Sequence, residues 1–277
     1  MADSAYLDLL KKCLTASVYD ESSWQIIDGP MRHETGLLPL LKRSVISALK
    51  RRGLRIVRAK KFDADARMQG LDWPLFGLTM VGMKRLNNLQ SCIEDVLANN
   101  IPGCFVETGV WRGGSSIFAK AVFKENGAND RTIWCCDSFE GMPSPSSTDL
   151  SIESVTDFSD RAYLVATEAQ VASNFQKFGL LDDNVRFLKG WFCDTLPTAP
   201  IGEIAILRMD GDLYESTMDA LKNLYPKISN GGYVIVDDYK SWKGCRTAVD
   251  EFREKNCISD KIIDIDPHAV YWKRSHN

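Results

Sequence analysis

The sequence has only three histidines among 277 residues. It has eight cysteines but no C-x-x-C pair. These two shortages argue against a structural zinc site and against a disulfide framework. A metal bound here has to be held through oxygen, which selects Mg²⁺, Ca²⁺ or Mn²⁺. Several cysteines, Cys135 and Cys136 among them, sit in apolar runs and read as small core residues. Unpaired thiols fit a reducing compartment, hence the cytoplasm. An excess of one charge is missing as well: 34 basic residues face 37 acidic ones, for a formal charge of -3. That balance argues against nucleic acid as the main partner. No apolar run approaches the length of a membrane span, and the opening Met1-Ala2-Asp3 does not start a signal peptide. Internal repeats and low-complexity tracts are lacking too. What is present, at 44% hydrophobic, suffices for one large α/β domain with a terminal extension and a core that needs no staples.

Periodicity divides the chain. Residues 5–15 carry Leu7, Leu9, Leu10 and Leu14 among charges and suit a short amphipathic helix. Residues 43–61 are basic and read as a solvated helix face or loop. Residues 70–82, rich in Gly, Pro and aromatics, read as a loop. A firm helix follows, with Leu86, Leu89, Ile93, Val96 and Leu97 on one face and Asn99-Asn100-Ile101-Pro102-Gly103 ending it. From there strands and helices alternate. Strands are expected at 104–106, 132–136, 184–188, 204–207 and 233–236. Helices are expected from Ser115, from the capping box Thr167-x-x-Gln170, over 216–224 with Ser216-x-x-Asp219 as its cap, and around Ala248, Val249 and Phe252. Residues 261–265 and 269–273 read as a closing antiparallel pair turned at Asp266-Pro267-His268. Residues 141–162 show no period, and a loop this long inside a compact domain is usually functional. The pattern is that of a doubly wound sheet. Residues 1–83 are expected to form a helical extension and lid, and residues 84–277 the catalytic domain.

The chemistry concentrates where two neighbouring strands end. The strand at 204–207 runs into Asp210-Gly211-Asp212, and the strand at 233–236 into Asp237-Asp238. Strand, helix, strand makes a parallel crossover, so both ends lie on one edge of the sheet, roughly 5 Å apart if the strands are neighbours. Four carboxylates in one small volume repel one another, and a hard cation is the simplest explanation. Asp210-x-Asp212 alone is a weak signal, since solvated loop acids and glycosyltransferase motifs look the same. The second acidic strand end is what strengthens it. Trp191, Phe192, Tyr214 and Tyr239 also fall on strand-end loops and are candidates to wall a pocket. His33, His268 and Arg246 read as structural or surface residues.

A second cluster sits at the end of the first strand of the alternating region. Glu107 precedes Thr108-Gly109-Val110-Trp111-Arg112-Gly113-Gly114. These glycines permit a tight turn and close backbone approach, but their spacing is not the G-x-G-x-x-G of dinucleotide enzymes. An acid ahead of such a loop suits a cationic nucleotide without a pyrophosphate, and S-adenosylmethionine fits. Asp137, ending the next strand, is placed to accept hydrogen bonds from a ribose diol.

Several strings together, in this order and spacing, resemble the macrocin O-methyltransferase family, whose members methylate sugar hydroxyls of macrolide and aminocoumarin antibiotics. They are Thr79-Met80-Val81-Gly82-Met83-Lys84-Arg85-Leu86-Asn87-Asn88-Leu89, the stretch from Glu107 to Gly114, Asp137-Ser138-Phe139-Glu140-Gly141, Gly190-Trp191-Phe192, Arg208-Met209-Asp210-Gly211-Asp212 and Val270-Tyr271-Trp272. The resemblance covers roughly residues 78–274. It implies a class I methyltransferase (Rossmann-like) fold of the α/β class, with S-adenosylmethionine and Mg²⁺ as cofactors. It also implies a homodimer. By the same resemblance Asp210, Asp237 and Asp238 correspond to the metal ligands and Asp212 to the general base. Thr79, Met80, Glu107, Thr108, Gly109, Arg112, Ser115, Asp137, Ser138 and Trp191 fall on segments that border the cofactor. Residues 141–162 and the N-terminal region depart from the family pattern, and there the family closes over its acceptor.

A sugar hydroxyl is a poor nucleophile near pH 7. A divalent cation stabilises its alkoxide, a carboxylate takes the proton, and in-line attack on the sulfonium methyl then depends mainly on positioning. The expected acceptor is a glycosylated small molecule. A catechol, which also offers two adjacent oxygens, is the alternative. Two rivals from other classes are a metal-dependent glycosyltransferase and a non-catalytic scaffold.

Overall fold

The computed structural model describes residues 4–18, 23–26, 44–49, 51–54, 56–72, 76–155, 157–159 and 162–275. The region around His33 lies outside these residues, whereas most of the basic stretch at 43–61 lies within them and is helical over 44–49. Within them, β1 (Ser23–Ile26) pairs antiparallel with β2 (Val57–Lys60), a pairing the basic composition of that region does not announce.

The seven remaining strands form one sheet. They are β3 (Cys104–Thr108), β4 (Ile133–Asp137), β5 (Val185–Lys189), β6 (Ile204–Met209), β7 (Ile228–Val236), β8 (Ile263–Asp264) and β9 (Val270–Lys273), in the spatial order β5-β4-β3-β6-β7-β9-β8. The first five run parallel, and β9 lies antiparallel against both β7 and β8. The order reverses between β3 and β6. That crevice is where open α/β sheets bind their ligands, and Gly109 and Asp210 flank it.

Helices cover both faces: α1 (Ala5–Leu14), α2 (Ala64–Gln69), α3 (Met83–Ala98), α4 (Gly114–Glu125), α5 (Ser147–Ile152), α6 (Glu168–Lys177), α7 (Phe192–Thr195), α8 (Tyr214–Leu224) and α9 (Lys243–Lys255). Successive strand residues feed opposite layers, as a period of two requires. Phe105, Ile206 and Ile235 pack with α1, α3, α4 and α6 on one face. Val106, Leu207 and Val236 pack with α8 and α9 on the other. α1 does not sit apart, because Leu7, Leu10 and Leu14 are buried in the first of these layers. It is tied down further by Arg67 of α2, whose guanidinium donates to Asp72 and to the carbonyls of Thr15 and Ala16.

Two expectations from the sequence need correction. Residues 141–162 are not irregular throughout: α5 forms there, closed by a capping box between Ser146 and Asp149. And α8 starts at Tyr214, two residues before Ser216, with no side-chain cap of its own. Ser216 and Asp219 therefore lie inside the helix. The capping box at Thr167 and Gln170 forms as read, with both bonds made.

Candidate active site

At the carboxyl edge of the sheet the acids converge. Asp210 follows β6 directly, and its N–H donates to the Thr108 carbonyl at 2.8 Å, prolonging the β3–β6 ladder past the last strand residue. Asp237 follows β7 and donates to the Met209 carbonyl at 2.9 Å. Asp210, Asp237 and Asp238 each offer a carboxylate oxygen, all within 4.8 Å of one another, and no other such cluster occurs among the described residues. Oxygens around a hexacoordinate Mg²⁺, at about 2.0–2.1 Å from it, are separated by roughly 3–4 Å. A modest contraction of the three acids would seat the ion. The orphaned buried Oδ2 of Asp238, which has no hydrogen-bond partner, supports that fit.

Two arginines stand behind this cluster. Arg208, on a strand otherwise made of apolar side chains, is fully surrounded. It donates to Glu107 Oε1 at 2.6 Å, to Asp210 Oδ2 at 2.9 Å and to Asp237 Oδ1 at 2.5 Å. Arg85, from α3, pairs with Asp237 Oδ2 and donates to Asp266 Oδ2 at 2.6 Å. Burial works against both guanidinium charges, but these carboxylates hold both in the charged form. Asp266 in turn accepts from the backbone N–H groups of His268 and Ala269, each at 2.8 Å. His268 completes the turn by sharing a hydrogen bond with Ser241, the structural part read for it.

Asp212 sits just beyond, at a φ of +54°. Burial and the charges of Asp210 and Asp237 push its carboxyl up to about 8. Burial, then the charges of Asp212, Asp210 and Asp237, also push Asp238 well above the carboxylate range. A cation held between these acids would offset that repulsion and favour their ionised forms.

The residues read as cofactor-bordering divide into two shells. Met80, Gly109, Asp137, Ser138 and Trp191 line one cavity together with Asp210 and Asp212. Asp137 is pinned there: one oxygen accepts from the N–H groups of Val110 and Trp111, the other from Phe139 at 2.7 Å. Thr79, Glu107, Thr108, Arg112 and Ser115 stand behind that wall. Glu107, 1% exposed, has both oxygens engaged, by Arg208 and by the Ser116 hydroxyl. Burial raises it to about 7 against the pull of those partners. It thus anchors Arg208, the counter-ion of the acidic cluster, and is not among the residues lining the cavity. Thr79 and Ser115 face each other at 3.4 Å. Arg112 reaches the Gly77 carbonyl and stacks over the Trp111 ring.

Gly109 is needed at the crevice: a Cβ there would lie 1.8 Å from the Asp210 carbonyl oxygen. Gly114 plays the same part against Leu78. Three larger residues in the loops that follow β3, β4 and β6 also adopt positive φ, namely Trp111, Phe139 and Asp212, a strained conformation that clusters at functional sites. Of the four rim aromatics, Trp191 and Phe192 do line the cavity. Tyr214 and Tyr239 instead donate to Glu251 and Asp250 on α9, so they brace the rim. Arg246 lies over the Tyr239 ring and near Asp250, in keeping with a supporting role. Sequence reasoning missed Arg85, Arg208 and Asp149. For Arg208 a signal existed, a charge between Leu207 and Met209 in a buried strand.

The macrocin-O-methyltransferase (TylF) family matches residues 3–274. The chain belongs to that family. The match reaches well N-terminal of the strings that first pointed to it. A demethyldecarbamoylnovobiocin O-methyltransferase of Streptomyces niveus is 44% identical over 98% of this chain and 94% of its own length. A mycinamicin III 3''-O-methyltransferase of Micromonospora griseorubida is 46% identical over 98% and 96%. Among solved structures the O-methyltransferase NovP, 43% identical, superposes with a TM-score of 0.80 and covers 98% of each chain. The calicheamicin methyltransferase CalS11, at 20% identity and a TM-score of 0.55 over 69% of this chain and 79% of its own, shares the fold. The Rossmann-like class I architecture is therefore common to this family member and to a methyltransferase of far lower identity.

Proposed function

We propose that this chain transfers a methyl group from S-adenosylmethionine to a sugar hydroxyl of a glycosylated secondary metabolite, with Mg²⁺ held by Asp210, Asp237 and Asp238. The observation that carries the reading is the meeting of two groups of residues in one cavity. Asp137 and Trp191 come from the cofactor side, Asp210 and Asp212 from the acidic side. The curated relatives, whose names specify O-methylation and in one case a sugar position, support the acceptor class.

Each residue then has a task. Asp137 accepts hydrogen bonds from the ribose hydroxyls, with Met80, Ser138 and Trp191 closing around the nucleoside. Arg208 and Arg85 hold Asp210 and Asp237 in place from behind. A divalent cation held by the three acids would supply positive charge that lowers the pKa of a nearby acceptor hydroxyl. Asp212 would take the proton from that hydroxyl as its oxygen attacks the methyl carbon and the S–CH3 bond breaks, leaving the neutral thioether S-adenosylhomocysteine. α5 and its flanking loops exclude water over the acceptor. We assign the metal and most of the cofactor contacts to residues 84–277, with Met80 as a contact from residues 1–83, and a covering role to another part of residues 1–83. We expect a homodimer in the cytoplasm, which sedimentation and fractionation test.

The direct test is incubation with S-adenosylmethionine, Mg²⁺ and a panel of glycosylated natural products that includes mycinamicin III and demethyldecarbamoylnovobiocin. One acceptor gains a single methyl mass. Chelator abolishes the gain and Mg²⁺ restores it. Methylation undiminished by chelator overturns the metal assignment, and binding of a nucleotide diphosphate in place of S-adenosylmethionine overturns the reaction class. Asp137→Ala removes charge-assisted hydrogen bonds worth about 1.5–3 kcal/mol each. Titration calorimetry then finds S-adenosylmethionine bound at least about tenfold more weakly. An unchanged dissociation constant would remove Asp137 from the cofactor site.

A further inference from the structure

Helix α8 opens at Tyr214, two residues after Asp212, and its first N–H groups need acceptors. Leu213, at the N-cap position, supplies none. The acceptor comes from 65 residues away, since Asp149 Oδ1 takes the Tyr214 N–H at 2.7 Å. The other oxygen of the same carboxylate serves α5, accepting from the Ser146 N–H at 2.9 Å and the Ser146 hydroxyl at 2.8 Å. One buried side chain, 1% exposed, therefore caps its own helix and a distant one. The neighbouring helix repeats the device. α9 also lacks a side-chain cap, and Glu153, just past α5, accepts from the Gly244 N–H at 3.2 Å.

Between β6 and α8 the backbone is unusual. Asp212 has positive φ, and the Leu213 N–H donates back to the Gly211 carbonyl at 2.5 Å. A bond from i+2 to i around a residue of positive φ is a γ-turn of the rare, strained kind. Such a turn persists only when its surroundings fix it from both sides. On the β6 side the Asp210 N–H is fixed to the Thr108 carbonyl. On the α8 side the fixed point is Tyr214, and the group that fixes it is Asp149.

We propose that Asp149 is a positioning residue for Asp212. By capping α8 from the lid helix it holds the γ-turn that aims the Asp212 carboxylate into the cavity. Asp149 stands at the wall of the same cavity, but both its oxygens are taken up by Ser146 and the Tyr214 N–H, so it acts through Asp212. It makes the seating of α5 and the aim of Asp212 a single event, because the same carboxylate completes the lid helix and the turn. The proposal rests on the reading of Asp212 as general base.

The test has two arms, both on the full chain with S-adenosylmethionine and Mg²⁺. In the first, hydrogen exchange is compared between the native protein and Asp149→Ala. Exchange across 211–216 rises about tenfold or more, while β6 and α9 keep their protection. Unchanged exchange in 211–216 overturns the proposal. In the second, turnover is read with mycinamicin III, or with whichever member of the panel gains the methyl group. Asp149→Ala lowers kcat by about tenfold or more at unchanged KM and unchanged Mg²⁺ affinity. Asp149→Asn, which keeps the acceptor for Tyr214, recovers most of the rate. In the Asp212→Asn background Asp149→Ala has little further effect, since residues acting as one unit are not additive. An equal loss in both backgrounds overturns the coupling while leaving Asp212 as the base. An Asp212→Asn variant with undiminished kcat overturns the base itself and the coupling with it. If Asp149→Ala does not fold, Asp149→Ser, too short to reach Tyr214 but still polar, takes its place in both arms.

Discussion

Asp212→Asn lowers kcat by about 10²–10⁴-fold while S-adenosylmethionine and Mg²⁺ still bind. The amide keeps the shape of the side chain and removes its basicity. Asp212 is outside the ligand triangle, so the ion loses no direct partner. Partly buried beside Asp210 and Asp237, its carboxyl is pushed up to about 8, and a cation held by the three acids would draw it back toward the ionised form at neutral pH. The contrast is Asp238→Asn. Asp238 Oδ2 has no hydrogen-bond partner, so losing its charge weakens the ion directly, and excess Mg²⁺ recovers part of the activity. Asp237→Asn is the less informative variant. Both its oxygens serve arginines, so metal loss and loss of packing arrive together. Calorimetry with Mg²⁺ and steady-state rates separate these cases. If excess Mg²⁺ rescues Asp212→Asn and not Asp238→Asn, the two roles are reversed.

Arg208→Met destabilises the fold by about 3–5 kcal/mol, the cost of breaking a buried ion pair from one side. The methionine fills much of the volume. It leaves Glu107, Asp210 and Asp237 close together without the guanidinium that all three share. At roughly 2–4 °C per kcal/mol for a chain approaching this size, the melting temperature drops by about 6–20 °C. Added Mg²⁺ returns part of the loss, because it neutralises two of the three acids from the other side. Arg208→Lys does little better than Met, as a single ammonium cannot span three carboxylates. A melting temperature within about 2 °C of the native protein in metal-free buffer would show that the acids are neutralised by something else.

Local signals in the sequence carry far where the partner of a residue is near in the chain. The apolar runs before Glu107, Asp137, Asp210 and Asp237 identify the strand ends, and the order of elements leads to the sheet. The Thr167–Gln170 box marks the start of α6 for the same reason. What escapes is long-range. Ser216 looks like the cap of α8 because it is the nearest oxygen of the right type, yet the acceptor is Asp149 on a segment whose Gly-Met-Pro-Ser-Pro-Ser-Ser composition reads as loop. The Ser146-x-x-Asp149 pattern was available there as a start signal. Glu107 looks exposed to a ligand because it ends a strand. It turns inward because Arg208, one strand over, needs it. β1 and β2 are joined through residues of no clear period, so their pairing has no local signature.

The contact between Gly109 and the Asp210 carbonyl bears on how such an enzyme diversifies. The loop beside Asp137 and the loop carrying the acids meet there main chain to main chain, with no side chain between them. Under the proposed reading, the separation of donor and acceptor is a property of the backbone alone. Substitutions in the cover over the acceptor, at 141–162, leave that separation untouched. Acceptor range can therefore drift through the cover while the geometry of transfer is inherited unchanged.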